Sequence, residues 1–170
     1  VPVAELDNLL QYSGCSIRIN GKPGIRMITS LTKEAKAALT MAGLAGYTLE
    51  EYGTVVAWSK ELGNNPLTLS TGSSNYAYRK GVSDPVFANV GNLTQYTNVL
   101  VGFTDEDCRE DIAMRPYIIL ADETGETVTI YGGIVYRSIG YIAWQNRDTY
   151  QPGTAAYDYV HELMGNTTAG

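Results

Sequence analysis

Apolar and polar positions alternate along this chain in short runs separated by turn residues, the pattern of strands that bury one face. Cys15-Ser-Ile-Arg-Ile19 alternates and stops at NGKPG, and Gly24-Ile-Arg-Met-Ile-Thr-Ser30 alternates again. An Asn-Gly turn between two such runs predicts a hairpin. Tyr52-Gly-Thr-Val-Val-Ala-Trp58 is β-branched and aromatic, and Tyr96–Phe103 carries no charge, so each predicts a strand. Met114–Ala121 and Thr127–Tyr131 flank the turn Asp122-Glu-Thr-Gly-Glu126 and predict a second hairpin. Pro116 lacks an N–H and needs an edge, a bulge or an outward-facing nitrogen.

Helical spacing is rarer. Leu6, Leu9 and Leu10 suit a short N-terminal helix or a lead-in. Thr32 caps an alanine- and leucine-rich run that Gly43 or Gly46 ends. The stretch GNNPLTLSTGSSN predicts a polar loop holding one short strand, and Asn75–Tyr78 a brief pairing. TDEDCRED predicts a capped turn or one helical turn starting at Thr104. Ser138 caps a helix whose Ile139, Ile142 and Ala143 share a face, and AYDYVHELMG is a short amphipathic segment. Short strands with turn signals between them predict a mainly β fold, an antiparallel β-sandwich with a few short helices. The expected division is a sandwich-like module over 1–150 and a short helix with a polar tail over 151–170.

Composition narrows the function. Apolar residues make up 44% and charged residues 18% of 170, a globular balance. The net charge is −6 with scattered Lys and Arg, which argues against nucleic acid. No apolar run is long enough to insert in a membrane. The chain opens at Val1 with no leader pattern, as expected of a mature secreted protein or an excised fragment. Two cysteines and the lone His161 cannot make a four-ligand zinc site, so neither metal nor cofactor is expected. Cys15 and Cys108 are either a disulfide or two free thiols.

Five short motifs occur in a recognisable order: GIRM at Gly24–Met27, EYGTVVA at Glu51–Ala57, YTNVLVGF at Tyr96–Phe103, MRPYIIL at Met114–Leu120 and VYRSIGYIA at Val135–Ala143. The set resembles a β-rich module of large secreted and cell-wall proteins of Gram-positive bacteria, patterned G-I-R-F, E-Y-G, F-T-x-V-L-x-G, A-R-P-Y and R-S. The resemblance covers about residues 15 to 145. It implies an extracellular, non-catalytic domain and no catalytic residues. Met27 replaces the usual Phe, and a polar insertion runs from about Gly63 to Gly91.

Candidate chemistry follows from what remains. Glu50, Glu51, Asp105, Glu106 and Asp111 could supply a glycosidase acid pair, but 18 acidic residues yield neighbours by chance. Asp105, Asp107 and Asp111 lack the Gly and terminal Glu of a calcium loop. Thirteen tyrosines against two Phe and two Trp suit a wet contact surface. Trp58, Tyr76, Tyr78 and Tyr96 are the candidates for stacking on sugars. Arg26 and Arg115 sit in apolar strand segments, either on the solvent face or inside with a partner. At least one is expected to be buried against an acidic side chain, with Glu51 the first candidate, or against backbone carbonyls. The expected function is a structural or protein-interaction module, with carbohydrate binding the alternative and a glycoside hydrolase a distant third. The expected partner is a cell-surface protein or polysaccharide.

Overall fold

The computed structural model describes residues 10–19, 23–31, 48–72, 88–90 and 93–168. The helix expected after Thr32 and the pairing expected at Asn75–Tyr78 lie outside these residues. Within them, two antiparallel sheets form a β-sandwich-like fold with short helices. The first sheet has the order β1-β2-β5-β4, from β1 (Leu10–Arg18), β2 (Gly24–Leu31), β5 (Leu93–Leu100) and β4 (Ala88–Val90). The second runs β3 (Thr48–Trp58), β6 (Asp111–Ala121), β7 (Thr127–Tyr131), and β8 (Val135–Ser138) also pairs with β6.

Both expected hairpins form. β1 and β2 pair from Arg18 opposite Gly24 to Leu10 opposite Leu31, with a bulge between Tyr12 and Gly14. Leu10 and Tyr12 therefore belong to a strand and not to a helix: the register carries the hairpin past the alternating segment to the start of the described chain. β6 and β7 pair across the Asp122 turn, where the carboxylate accepts the Thr124 and Glu126 amides at 2.9 and 3.0 Å. The Thr124 hydroxyl, donating to the same carboxylate at 2.6 Å, and then these amides hold the Asp122 carboxyl below its ordinary range.

Pro116 sits in a central strand, which its missing donor would ordinarily forbid. On its β7–β8 side, however, the neighbouring strand is interrupted at residues 132–134. The Pro116 carbonyl accepts from Gly132 N–H at 2.8 Å, and N and C=O of one strand residue face the same edge, so the proline nitrogen faces that gap. Gly132 is needed there because a Cβ would lie 2.7 Å from the Pro116 ring and 3.1 Å from the Leu10 carbonyl.

The principal core lies between the sheets and under the C-terminal helices. Ile17, Ile25, Met27 and Leu100 of the first sheet meet Val56, Ile112 and Met114 of the second. Ile139, Ile142 and Ala143 of helix α3 (Ile139–Gln145) join them. So do Val160 and Leu163 of α4 (Ala155–Thr168). A buried bond from Thr54 Oγ1 to Asn98 Oδ1, 3.0 Å, ties the two sheets. Among the described residues, no helix is long and apolar enough to cross a membrane.

The opposite face of the second sheet is also covered. A single helical turn, α1 (Ser59–Leu62), follows β3, and the described part of the expected polar loop carries the short helix α2 (Leu69–Gly72) where a short strand was expected. Leu62, Leu67 and Leu69 pack on Val55, Ala57, Ala113 and Tyr117. This second layer explains why β6 is buried on both faces.

Candidate functional site

β8 and α3 build the surface that stands out. Register places Ser138 opposite Asp111, Arg137 opposite Ile112 and Tyr136 opposite Ala113. Ser138 then starts α3 as expected, its Oγ accepting the Tyr141 amide at 3.1 Å. Because Ile139, Ile142 and Ala143 point into the core, the helical period turns Tyr141 and Trp144 outward. With Tyr136 they are the large exposed hydrophobics of the described residues, at 52% for Tyr136, 44% for Tyr141 and 46% for Trp144.

Arginines bracket these rings. The Arg137 guanidinium lies 5.7 Å from the Tyr141 ring centre, and that of Arg147 lies 3.9 Å from the Trp144 ring. Tyr141 and Trp144 stack at 5.9 Å with 27° between their planes. Residues 137, 141, 144 and 147 thus form one cation–ring–ring–cation stripe. Arg147 Nη1 also donates to the Trp144 carbonyl at 2.8 Å, which fixes it at the helix end, and an exposed Asp148 lies 3.7 Å from its Nε. Next to the stripe, Asp111, Tyr136, Arg137, Ser138 and Tyr141 line a shallow open cleft of about 380 Å³.

Behind Arg137 lies a neutral pair. Tyr12 Oη and Cys15 Sγ are 3.3 Å apart. Burial pushes the Cys15 thiol up to about 11, while the Tyr12 bond and the Arg137 charge pull the other way. Burial likewise raises Tyr12 well above the ordinary phenol range, assisted by Cys15. Both groups are protonated near neutral pH, so Cys15 is a packed side chain and a poor nucleophile. Cys15 and Cys108 are free thiols. Burial, with the nearby Cys108 and Glu162, also pushes Tyr159 up to about 12.

The expected residues lie elsewhere. Trp58 is half-buried against the principal core. Tyr76 and Tyr78 fall outside the described residues, and Tyr96 lies in β5 opposite Thr29. Arg26 is half-buried in β2, opposite Ser16 and Val99. Arg115 and Glu51 share the covered face of the second sheet but take different partners. Arg115 donates to the carbonyls of Gly132 at 2.9 Å and Leu67 at 3.0 Å and lies 4.4 Å from the Tyr131 ring centre. Glu51 instead accepts the Tyr117 hydroxyl at 2.6 Å. Thr104 and Asp107 cap each other reciprocally ahead of the 3-10 turn Glu106–Arg109. Among the described residues no cluster of three His, Cys, Asp or Glu could hold a metal ion. His161 stacks on Tyr157 at 4.0 Å, and its Nδ1 lies 3.1 Å from the Tyr157 carbonyl.

The sequence reading passed over Tyr136, Tyr141 and Trp144. The signal was present: with Ile139, Ile142 and Ala143 on one face of a helix, two aromatics remain on the other. The chain matches no protein-family model, and neither a curated protein nor a solved structure matches it.

Proposed function

We propose that this chain is a non-catalytic protein-interaction module of a secreted or cell-surface protein, and that it makes contact through the β8–α3 stripe. The extracellular setting rests on the motif order described above. The observation that carries the interaction reading is the exposed Arg137–Tyr141–Trp144–Arg147 stripe. Trp, Tyr and Arg are the residue types that dominate binding hot spots. Here they are half-exposed and already held in place by one another, so little side-chain entropy remains to be lost on association.

Carbohydrate binding is the second reading, because aromatic rings beside an Asp and an Arg also suit sugars. It fits less well, since stacking a pyranose requires an open ring face and Arg147 sits over Trp144 at 3.9 Å. A pull-down of candidate surface proteins and polysaccharides with the parent chain and with Trp144→Ala tests the proposal. Protein capture that the substitution abolishes supports it. Capture of polysaccharide alone favours the second reading, and capture indifferent to the substitution moves the contact to another face.

A further inference from the structure

Arg137 is a cation whose partners within the protein are few. It is half-buried, and its Nε, itself shielded from solvent, has no hydrogen-bond acceptor, so the donors left for an occupant of the cleft are those of its terminal nitrogens. Its Nη1 reaches the carbonyl of the preceding residue, Tyr136, at 2.7 Å. Among the described residues no carboxylate lies within ion-pair distance of it. Asp111 lines the same cleft without closing that distance. A guanidinium presents a planar fork of donors, and a carboxylate matches it with two parallel bonds. Partial burial raises the value of that match, because the charge is already drawn out of bulk water.

We propose that the cleft receives a single Asp or Glu side chain from a protein partner, with Arg137 as its receptor and Tyr141 and Trp144 covering the apolar residues beside it. The proposal rests on the stripe being a protein contact. Asp111 limits the occupant: its own negative charge in the cleft opposes a dense acidic run, so one carboxylate with apolar neighbours fits best. The chemistry is complementary in charge at Arg137 and in polarity along the exposed rings.

A random dodecapeptide display library selected on the full 170-residue chain tests this, with synthetic peptides of the enriched sequences titrated afterwards. Enrichment of one acidic position beside aromatic or aliphatic residues is expected. Those peptides should bind at least about tenfold more weakly to Arg137→Gln, the scale of a lost hydrogen bond to a charged group. Arg137→Lys should recover only part of the affinity, because an ammonium lacks the fork. Thermal melts of the variants separate lost binding from lost fold. Enriched peptides that require Trp144 but carry no acidic position would overturn the carboxylate assignment and leave the contact face standing. Peptides indifferent to both Trp144→Ala and Arg137→Gln, or no enrichment at all, would overturn both. Polyglutamate binding as tightly as the selected peptides would reduce the site to unspecific charge attraction and also sink the proposal.

Discussion

Arg115 and Arg137 each rise from the second sheet and each lie against a tyrosine ring, yet their surroundings differ in kind. Around Arg115 every neighbour belongs to the scaffold. The Gly132 and Leu67 carbonyls take its donors, the Tyr131 ring lies beneath it, and the Tyr131 hydroxyl accepts the Leu69 amide at 3.1 Å. The arginine thereby fastens the 59–72 segment over the sheet. Around Arg137 the shell is incomplete: one local carbonyl, a more distant ring and an open cleft. The same cation serves as a rivet where its donors are consumed and as a receptor where they remain. Burial does not separate the two, because both residues are half-buried; the count of matched donors does.

The largest expected effect tests the rivet. Arg115→Met should cost about 2–4 kcal/mol in denaturant melts, since it orphans two carbonyls and loosens the leucines above them. Arg137→Met should stay within about 1 kcal/mol of the parent. Equal losses would erase the distinction between the two sites.

The alkaline limb gives the next effect. Cys15 has a folded pKa raised from 9.0 to about 11 by burial. A raised folded value means that the thiol's contribution is fully present below pH 9 and fades as pH rises toward 11. By pH 10 the loss should be about 1 kcal/mol, and Cys15→Ala should flatten that slope. The Arg137 charge opposes the rise, so in Arg137→Met the native thiol should react still more slowly with an alkylating reagent at pH 9. An unchanged rate would mean that Arg137 does not face the Tyr12–Cys15 pair in solution.

Tyr131→Phe should cost about 1 kcal/mol, as the ring stays under Arg115 while the Leu69 amide loses its acceptor. Its coupling to Arg115→Met in a double-mutant cycle should be measurable, because both hold one segment. Trp144→Ala is the smallest, within about 0.5 kcal/mol on stability, as expected for an exposed residue outside the core. A larger loss would make the stripe part of the scaffold.

Much of the frame was legible because it depends on local chemistry. The alternation of residues 15–19 and 24–30 marks one hairpin, the Asp122 turn fixes the other, and Ser138 fixes the start of α3. The covering layer was hidden, because Leu62, Leu67 and Leu69 stand among Gly, Asn, Ser and Thr, and their burial depends on a sheet face distant in sequence. Arg115 was legible as an arginine needing a carboxylate or backbone carbonyls. Carbonyls carry no sequence signature, so only Glu51 could be named in advance, and the carbonyls of Gly132 and Leu67 take the donors instead. The stripe was missed for the opposite reason. Tyrosines are spread throughout this chain, and only the orientation of α3 distinguishes those left outside.

One further contact concerns the order in which the chain becomes available. β1 is an edge strand of its sheet, and its outward backbone groups are met by residues after α3. Asn146 Nδ2 donates to the Cys15 carbonyl at 3.1 Å, and the Tyr150 hydroxyl accepts the Ile17 amide at 2.9 Å. That second bond spans 133 residues. During synthesis the hairpin emerges well ahead of Asn146 and Tyr150, and until they follow, the Cys15 carbonyl and the Ile17 amide lack these two partners. Over that interval these edge groups could take a strand from another nascent copy. Chains halted before Asn146 should therefore be the aggregating ones, even when both hairpins have closed.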